Sequence, residues 1–183
     1  AALGEDPLRS DADADALWVK VSSSSKSIGA LLRDQARRTP SAHAPNPPRP
    51  SYLSRAQLTL DSPQACFAGV GNIFRCEILL VAGINPEKRG NELSRVEFDK
   101  IWAASVRLMT MAFELGSIVT VTPAEARGVG NPRLRRWLYN SRSCGKCGGR
   151  VRSWDIQGRT CYACDVCQPR TGGAPPADAK EPT

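Results

Sequence analysis

Four of the seven cysteines stand in two short motifs that are suited to bind one metal ion. The motifs are Cys144-Gly-Lys-Cys147 and Cys164-Asp-Val-Cys167, with sixteen residues between them. Two C-x-x-C pairs at this separation are typical of a zinc site, because each pair forms a tight knuckle that directs two thiolates at one ion. A closed set of four thiolates leaves no position for a bound water, which favours structural zinc over catalytic zinc or a pair of disulfides. The remaining thiols are most simply ordinary buried or loop residues: Cys66, Cys76 and Cys161.

The residues between the two cysteine pairs can form a hairpin that carries both knuckles. We expect strands over 151–156 and around Cys161-Tyr162, joined by a turn at 157–160. This places Arg159 at or near the hairpin tip, where a rigid guanidinium fork can bind a phosphate with two hydrogen bonds. Arg159 is therefore a candidate anion ligand.

A second candidate for anion binding is the glycine-rich turn Gly69-Val70-Gly71-Asn72, which stands directly before an expected helix. Glycines let the backbone approach an anion closely, and the free N–H groups at a helix N-terminus attract negative charge. Gly71 and the amide of Asn72 would supply the contacts. The alternative is a plain turn between helices, since a similar Gly128-Val129-Gly130-Asn131 occurs later with no obvious helix after it.

The distribution of charge favours a polyanionic partner. The formal net charge is +7, and the stretch from Arg127 to Arg170 holds ten Arg or Lys against Asp155 and Asp165. Neutralising phosphates releases counterions and so drives association with nucleic acid. A basic face that serves only solubility is the other interpretation.

Helical periodicity predicts a small α-helical unit before the cysteines. We expect short helices over 11–21 and 28–35, and a further helix from Ile73 to about Val81. A longer helix is expected to begin at a capping box of Ser94 and Glu97, and to end at Gly116. Its apolar stripe is assigned to the core rather than to a cofactor site.

Two stretches are not expected to join this core. Residues 36–66 carry six prolines among Ser, Ala and Arg, which predicts a disordered insertion, and residues 171–183 predict a disordered tail. The insertion contains His43, the only histidine, which argues against catalytic histidine chemistry. The sequence therefore divides into a helical domain of residues 1–35 and 67–125, and a basic segment with the zinc finger over 126–170.

The order of these motifs resembles the C-terminal half of the formamidopyrimidine-DNA glycosylase and endonuclease VIII family. Three segments are similar to the helix-two-turns-helix region of that family: Leu3-Gly4-Glu5-Asp6-Pro7-Leu8, Ile28-Gly29-Ala30-Leu31-Leu32-Arg33-Asp34-Gln35 and Ala68-Gly69-Val70-Gly71-Asn72-Ile73-Phe74-Arg75-Cys76-Glu77. The zinc finger of the family is similar to Gly158-Arg159-Thr160 followed by Cys164, Cys167 and Gln168. The resemblance covers most of residues 3–35 and 67–170, and the Pro-rich block after Gln35 departs from it.

The resemblance implies a mainly α fold, in which a helix-two-turns-helix bundle precedes a small β-hairpin zinc finger. One structural Zn²⁺ would be bound by the four thiolates already named: Cys144, Cys147, Cys164 and Cys167. By the same resemblance, Asn72 and Arg159 would bind phosphates of a kinked DNA strand, with Gly71 beside them. Lys26 would be a third ligand.

The resemblance also implies a DNA-repair enzyme that flips a damaged base out of the duplex, removes it, and cleaves the strand at the abasic site. In the family the attacking group is an N-terminal proline amine, assisted by the adjacent glutamate and by a lysine of a β-rich N-terminal domain. The chain begins at Ala1, where the family would already be leaving that domain. We therefore expect the catalytic domain to be absent, and no catalytic residue is assigned.

Three functions follow as hypotheses. The first is a base-excision-repair glycosylase with abasic-site lyase activity on oxidised bases, represented by an incomplete chain. The second is a zinc-dependent module that binds damaged DNA without chemistry, and the third is a zinc-ribbon interaction protein unrelated to repair. Salt separates the third from the others, because phosphate contacts make affinity fall steeply as salt rises.

The expected partner and location follow from the same observations. The partner would be double-stranded DNA that carries damaged bases or abasic sites, bound by a monomer. No apolar run approaches the roughly 20 residues that cross a bilayer, and the N-terminus lacks the basic and apolar regions of a secretory signal. We expect a protein that is neither secreted nor in a membrane, located in the nucleus or another DNA-containing compartment.

Overall fold

The computed structural model describes residues 4–33 and 66–170. Within them the chain forms five α-helices, one short 3-10 helix and one two-stranded antiparallel hairpin. The predicted insertion at 36–66 falls almost entirely outside these residues, as do His43 and the predicted tail at 171–183. None of the helices in the described part of the chain is long and apolar enough to cross a membrane.

The first helix, α1, spans Ala14–Ser22 and begins at an aspartate cap. The Asp13 carboxylate accepts hydrogen bonds from the N–H groups of Asp15 and Ala16, at 3.0 and 2.9 Å. The prediction of a helix over 11–21 is confirmed for the element and wrong for its first residues. The reason is that Asp13 caps the helix from outside it and does not lie in its first turn.

The second helix, α2, is a single turn over Ile28–Leu31 that begins at a serine cap. The hydroxyl of Ser27 accepts a hydrogen bond from the N–H of Ala30 at 3.3 Å, and all four helical residues are buried. The chain continues as a turn to Arg33. The helix predicted over 28–35 is therefore confirmed for 28–31 and wrong at 32–33, because the chain turns there, and residues 34 and 35 lie outside the described residues.

Two longer helices, α3 over Asn72–Ala82 and α4 over Arg95–Glu114, pack against each other. After α3 comes Gly83, whose φ of 73° lies in the left-handed region that favours glycine. α4 begins at the predicted capping box, in which Ser94 and Glu97 each accept a hydrogen bond from the other's backbone N–H. Both predicted helices are therefore confirmed.

The helices enclose an apolar core that fixes the direction of α3 and so the position of its N-terminus. Burying a large apolar side chain stabilises the fold by about 1.5–3 kcal/mol. The core side chains come from α1 to α4 and from the segment before α3: Leu17, Val21, Ile28, Leu31, Phe67, Ile78, Leu79, Phe98, Ile101 and Leu108.

A fifth helix, α5, spans Pro123–Gly128 and was not predicted. Its capping box of Thr122 and Glu125, with a proline at the first helical position, is a start signal that the sequence does contain. Residues 118–122, just before this helix, are all β-branched but form no strand in the described chain. Thr120, in that stretch, is instead fully buried.

The hairpin consists of β1, Val151–Asp155, and β2, Thr160–Cys164. The strands pair in antiparallel fashion, with Trp154 opposite Cys161. The two residues of the turn are Gln157 and Gly158, whose φ values of 55° and 74° are left-handed, as a type I′ hairpin turn requires. The predicted hairpin is confirmed, with its second strand longer than expected.

A second apolar cluster packs the hairpin onto the helical unit. α3 contributes Cys76 and Leu80, both fully buried, to this cluster. The other side chains come from the hairpin and from the segment before it: Trp137, Leu138, Val151, Trp154, Cys161 and Ala163. The hairpin therefore has a fixed position against α3. All three cysteines outside the two short motifs are buried, in agreement with the sequence interpretation.

Candidate nucleic-acid interface and metal centre

The four cysteines of the two short motifs come together beside the hairpin. Their sulfur atoms all lie within 4.8 Å of one another, and the Sγ atoms of Cys147 and Cys164 are 3.5 Å apart. A tetrahedral site with Zn–S bonds of about 2.3 Å has S–S edges of about 3.8 Å, so these separations fit a single ion. The chain therefore contains a four-cysteine group that could hold one metal ion.

Three of the four thiols have shifted pKa values. Burial raises the pKa of the Cys144 thiol to about 11 and also raises the pKa of Cys167. Burial acts on Cys147 in the same direction, but hydrogen bonds from the Gly149 N–H and from the neighbouring thiols bring its pKa below the usual value. Thiols this close ionise together when a cation offsets their mutual repulsion.

Gln168 fastens the second cysteine pair to the helical unit. Its side-chain oxygen accepts a hydrogen bond from the Cys164 N–H at 3.0 Å, and its side-chain amide donates to the Ile84 carbonyl at 2.8 Å. The main-chain carbonyl of Gln168 accepts from the side-chain amide of Asn85 at 3.0 Å. Gln168 and Asn85 are both buried, so these hydrogen bonds hold the four-cysteine group near the C-terminal end of α3.

Glu77 on α3 organises the segment that leads into the first cysteine pair. Its carboxylate is fully buried and accepts hydrogen bonds from the N–H groups of Trp137, Leu138 and Tyr139, at 2.8 to 2.9 Å. A fourth hydrogen bond comes from the Thr120 hydroxyl at 2.7 Å. Glu77 thereby fixes the backbone of residues 137–139 against the helix.

Arg75 lies on the same helix and is also fully buried. Its Nη2 donates to the Oδ1 of Asn72 at 2.5 Å and to the Arg159 carbonyl at 3.2 Å. Its Nη1 donates to the carbonyls of Gly29 and Ile156, at 3.5 and 3.4 Å. One guanidinium therefore joins the N-terminus of α3, the turn of α2 and both ends of the hairpin turn.

Asn72 is the first residue of α3 and is half-buried against the hairpin. Its side-chain nitrogen donates to the Thr160 carbonyl at 3.0 Å and lies 3.5 Å from the Tyr139 hydroxyl. The amide of Asn72 is thus already bonded within the protein on both its oxygen and its nitrogen. Gly71, by contrast, faces open space, because no atom of the described chain lies within 4 Å of the position that a Cβ would take.

The predicted DNA ligands do not all fall in one place. Arg159 is exposed directly after the hairpin turn, and the Arg75 guanidinium joins its backbone to Asn72. Gly71 precedes Asn72 as the residue that caps α3. Lys26 is exposed on a separate loop before α2, where its carbonyl accepts a hydrogen bond from the Gly90 N–H at 2.9 Å.

The basic residues of the stretch from Arg127 to Arg170 fall into two groups. Arg152 and Arg170 are largely buried and form ion pairs with Asp165 and Glu87, at 2.6 and 3.1 Å. The other basic residues are exposed: Arg127, Arg133, Arg135, Arg136, Arg142, Lys146, Arg150 and Arg159. Arg136 lies over the ring of Tyr139, 5.7 Å from its centroid, so that part of this charge stands next to Asn72.

A family model described as the formamidopyrimidine-DNA glycosylase H2TH domain matches residues 56–123. The proteins named endonuclease 8 1 from Mycobacterium bovis and Mycobacterium tuberculosis are 32% identical over 173 residues, which is 92% of this chain and 54% of theirs. The formamidopyrimidine-DNA glycosylase of Prochlorococcus marinus is 32% identical over 123 residues, which is 64% of this chain and 44% of that protein. The family model and these relatives support the assignment of the chain to the formamidopyrimidine-DNA glycosylase and endonuclease VIII family.

Solved structures of the formamidopyrimidine-DNA glycosylase from Lactococcus lactis have a similar fold. A complex of that protein with DNA containing an abasic site gives a TM-score of 0.61 at 22% identity, over 92% of this chain and 52% of that one. Its complex with DNA containing FAPY-dG gives a TM-score of 0.59 at 20% identity, over 92% of this chain and 51% of that one. The chain thus spans about half the length of these glycosylases and of the endonuclease 8 1 proteins.

The sequence alone does not identify three residues of this site: Arg75, Glu77 and Tyr139. The signal that could have identified Arg75 and Glu77 is a pair of charged residues in an otherwise apolar helix. Such residues are rarely buried unless they are fully hydrogen-bonded, so burial itself would have marked them as organising residues. No comparable signal in the sequence distinguishes Tyr139.

Proposed function

We propose that this chain binds double-stranded DNA at a damaged base or an abasic site, and that it serves a base-excision-repair glycosylase with abasic-site lyase activity on oxidised bases. The observation that carries the proposal is the Arg75 guanidinium, which joins Asn72 on α3 to the backbone of Arg159 on the hairpin. Membership of the glycosylase family supports the choice of DNA as the ligand. No catalytic residue is assigned to the chain.

In this proposal a DNA phosphate is bound between the N-terminus of α3 and the hairpin tip. Gly71 leaves open space in front of the helix, where backbone N–H groups and the helix dipole attract an anion. The exposed fork of Arg159 binds the phosphate oxygens from the other side. Asn72 supplies its amide to the same site, either by holding the hairpin in place or by exchanging its bond to Tyr139 for one to phosphate.

Lys26 and the exposed arginines of the basic stretch extend the contact along the strand. Contacts of this kind position the duplex and carry no sequence information. They suit a protein that must recognise damage in any sequence. Flipping a base out of the duplex requires the least energy when that base has lost its pairing or stacking. This difference would give the protein its selectivity for lesions.

We infer that the metal ion is Zn²⁺ and that it is structural. Four thiolates are a zinc donor set, and the measured sulfur separations fit a tetrahedron. Bound zinc would close the two knuckles and so keep β1 and β2 in register. Cys144, Cys147, Cys164 and Cys167 would hold it, and Gln168 would transmit that order to α3.

The proposal is tested with a duplex that carries one abasic site. Binding of the zinc-loaded protein is titrated at two salt concentrations, and a parallel sample is treated with borohydride to trap any Schiff base between protein and sugar. We expect affinity to fall steeply with salt, and Arg159→Ala to reduce both the affinity and its salt dependence. A covalent adduct with strand cleavage would support lyase activity of this polypeptide.

Two other outcomes are informative. Salt-dependent binding without an adduct would identify the chain as a DNA-binding module without chemistry of its own, and would contradict the enzymatic part of the proposal. Binding that is absent, or that is equally strong at both salt concentrations, would contradict the DNA-binding function as a whole and would favour a zinc-ribbon interaction protein.

A further inference from the structure

Arg33 lies in a segment that resembles the helix-two-turns-helix region, but it is not among the ligands of the proposed phosphate site. It follows α2 in a turn, where its N–H donates to the Ala30 carbonyl at 3.0 Å, and its side chain is half-buried. The Nε atom of Arg33 is buried and has no hydrogen-bond partner among the described residues. A half-buried guanidinium without a protein acceptor at Nε is suited to bind a ligand.

The Arg75 guanidinium shows how close Arg33 lies to the hairpin tip. It donates to the Gly29 carbonyl on one side, and to the carbonyls of Ile156 and Arg159 on the other. The turn of α2 and the hairpin turn are therefore separated by little more than the width of one guanidinium. Arg33 comes four residues after Gly29, in the turn that directly follows α2.

The charges at this point are poorly balanced. Burial lowers the pKa of Arg33, and the positive charges of Arg75 and then Arg159 lower it further. Asp155 opposes them, but its carboxylate also accepts the Gly158 N–H at 2.8 Å. Arg75 donates to three carbonyls and one amide oxygen, and these acceptors are all uncharged. An anion beside Arg33 would relieve this repulsion.

We propose that Arg33 binds a DNA backbone phosphate together with Arg159, as a further ligand of the phosphate site. This inference rests on the proposed DNA-binding function. The fork of Arg33 would bind from the α2 side and that of Arg159 from the hairpin side, while the buried Arg75 sets the distance between them. Arg75 is then a positioning residue, and Arg33 and Arg159 are the two ligands.

The test compares Arg33→Ala, Arg33→Lys and Arg159→Ala with Lys100→Ala, which removes one exposed charge from α4. Affinity for a 20-base-pair duplex with one abasic site is measured over a series of salt concentrations. For Arg33→Ala we expect a loss of affinity of about tenfold, and a slope of log affinity against log salt that is smaller by about one. Arg33→Lys should keep the slope and lose less affinity, whereas Lys100→Ala should match the wild type.

Zinc content and thermal midpoint are measured for each variant to establish that it is folded. Should Arg33→Ala lower the midpoint, Arg33→Gln becomes the deciding variant, since it keeps an N–H donor and the first part of the side chain without the charge. Loss of slope with a normal midpoint supports the phosphate contact. A slope and affinity within twofold of wild type, alongside a clear loss in Arg159→Ala, overturn the role of Arg33 and leave the proposed function standing. Wild-type protein that does not bind DNA overturns the proposed function itself.

Discussion

Among single residues, Arg75 positions the parts of the proposed phosphate site, although its own side chain is buried and does not reach the surface of that site. The guanidinium is fully buried and donates to acceptors in three separate parts of the chain. A lysine keeps the charge but has one nitrogen in place of the planar fork, so it cannot make all four contacts. The site should therefore depend on the shape of this side chain as much as on its charge.

We expect Arg75→Lys to weaken DNA binding by tenfold or more and to lower the free energy of unfolding by about 2–4 kcal/mol. Both losses have one cause, since α3 and the hairpin turn would no longer be held together. Fluorescence titration with duplex DNA and urea denaturation measure the two effects. Arg127→Lys, on the exposed basic stretch, is the matched control, and equal behaviour of the two variants would contradict the role of Arg75.

Glu77 is a second buried charged residue on α3 whose replacement should destabilise the fold. Its carboxylate accepts four hydrogen bonds, three of them from consecutive backbone N–H groups. Glu77→Gln replaces one acceptor oxygen with an N–H donor that faces other donors, so we expect a loss of about 2–3 kcal/mol in the free energy of unfolding. Chemical denaturation checks this value, with Glu114→Gln on the exposed surface of α4 as the control. A change below about 0.5 kcal/mol, the usual size for a surface substitution, would contradict it.

The sequence predicts the parts of the site that have a spacing or a turn signature. The four cysteines, the glycine turn at Gly71 and the position of Arg159 are of this kind. The role of Arg75 could not be predicted, because three of its four acceptors are main-chain carbonyls. Carbonyl groups are present at every residue, and only the folded chain shows which of them converge.

At the scale of elements, the start of α4 is coupled to the loop before it through Glu97. This carboxylate closes the capping box with Ser94 and also forms an ion pair with Lys88 at 2.6 Å. Burial tends to raise the pKa of Glu97, but the hydrogen bonds from Lys88 and Ser94 outweigh it and lower the pKa below its ordinary 4.5. A carboxyl group with a lowered pKa stabilises the fold above its ordinary pKa, and this contribution is lost as the pH falls through the lowered value.

Glu97→Gln should therefore destabilise the protein by about 0.5–1 kcal/mol at pH 7, and by less as the pH falls to 3. The variant retains the helix but loses the charge that Lys88 and the helix N-terminus favour. Denaturation of both proteins at the two pH values gives the difference. Glu114→Gln, at the exposed end of α4, should show no such dependence, and a loss at Glu97 that is equal at both pH values would contradict the explanation.

Helices with a capping signal and a long apolar stripe were predicted to within a few residues, as α3 and α4 show. α5 was missed because a helix of six residues is too short to display periodicity, although its capping box was present. The hairpin pattern predicted two paired strands joined by a turn over 157–160, and the structure narrows that turn to Gln157 and Gly158. The packing of the hairpin on α3 could not be predicted, since it depends on contacts between residues far apart in the sequence, such as Asn72 and Thr160, which are 88 positions apart.

At the scale of the whole molecule, two apolar clusters meet at α3. Trp18 and Trp102 pack on the cluster formed by the helices, whereas Trp137 and Trp154 belong to the cluster that includes the cysteines. Each cluster thus has its own pair of tryptophans. The second cluster includes Cys144 and Cys164, two of the four cysteines that we propose as zinc ligands, so its order should depend on the metal.

Removal of zinc with a chelator should disorder the second cluster and so shift the fluorescence of Trp137 and Trp154 to longer wavelength. DNA binding should be lost as well. Most of the helical circular dichroism signal should persist. Two double variants separate the signals: Trp18→Phe with Trp102→Phe, and Trp137→Phe with Trp154→Phe. The first should retain the shift and the second should lose it. Chelation that unfolds both clusters together, or that leaves binding intact, would contradict this division.

The acceptors of Arg75 also bear on how the protein can change over evolutionary time. Its bonds to the hairpin turn end on the main-chain carbonyls of Ile156 and Arg159, which every amino acid possesses. Side chains at the hairpin tip can therefore diverge between species, or be exchanged in a laboratory library, without moving the tip relative to α3. Under the proposed function, variation at tip positions other than Arg159 would change the surface that the tip presents to DNA, while Arg159 would keep its contact with the strand.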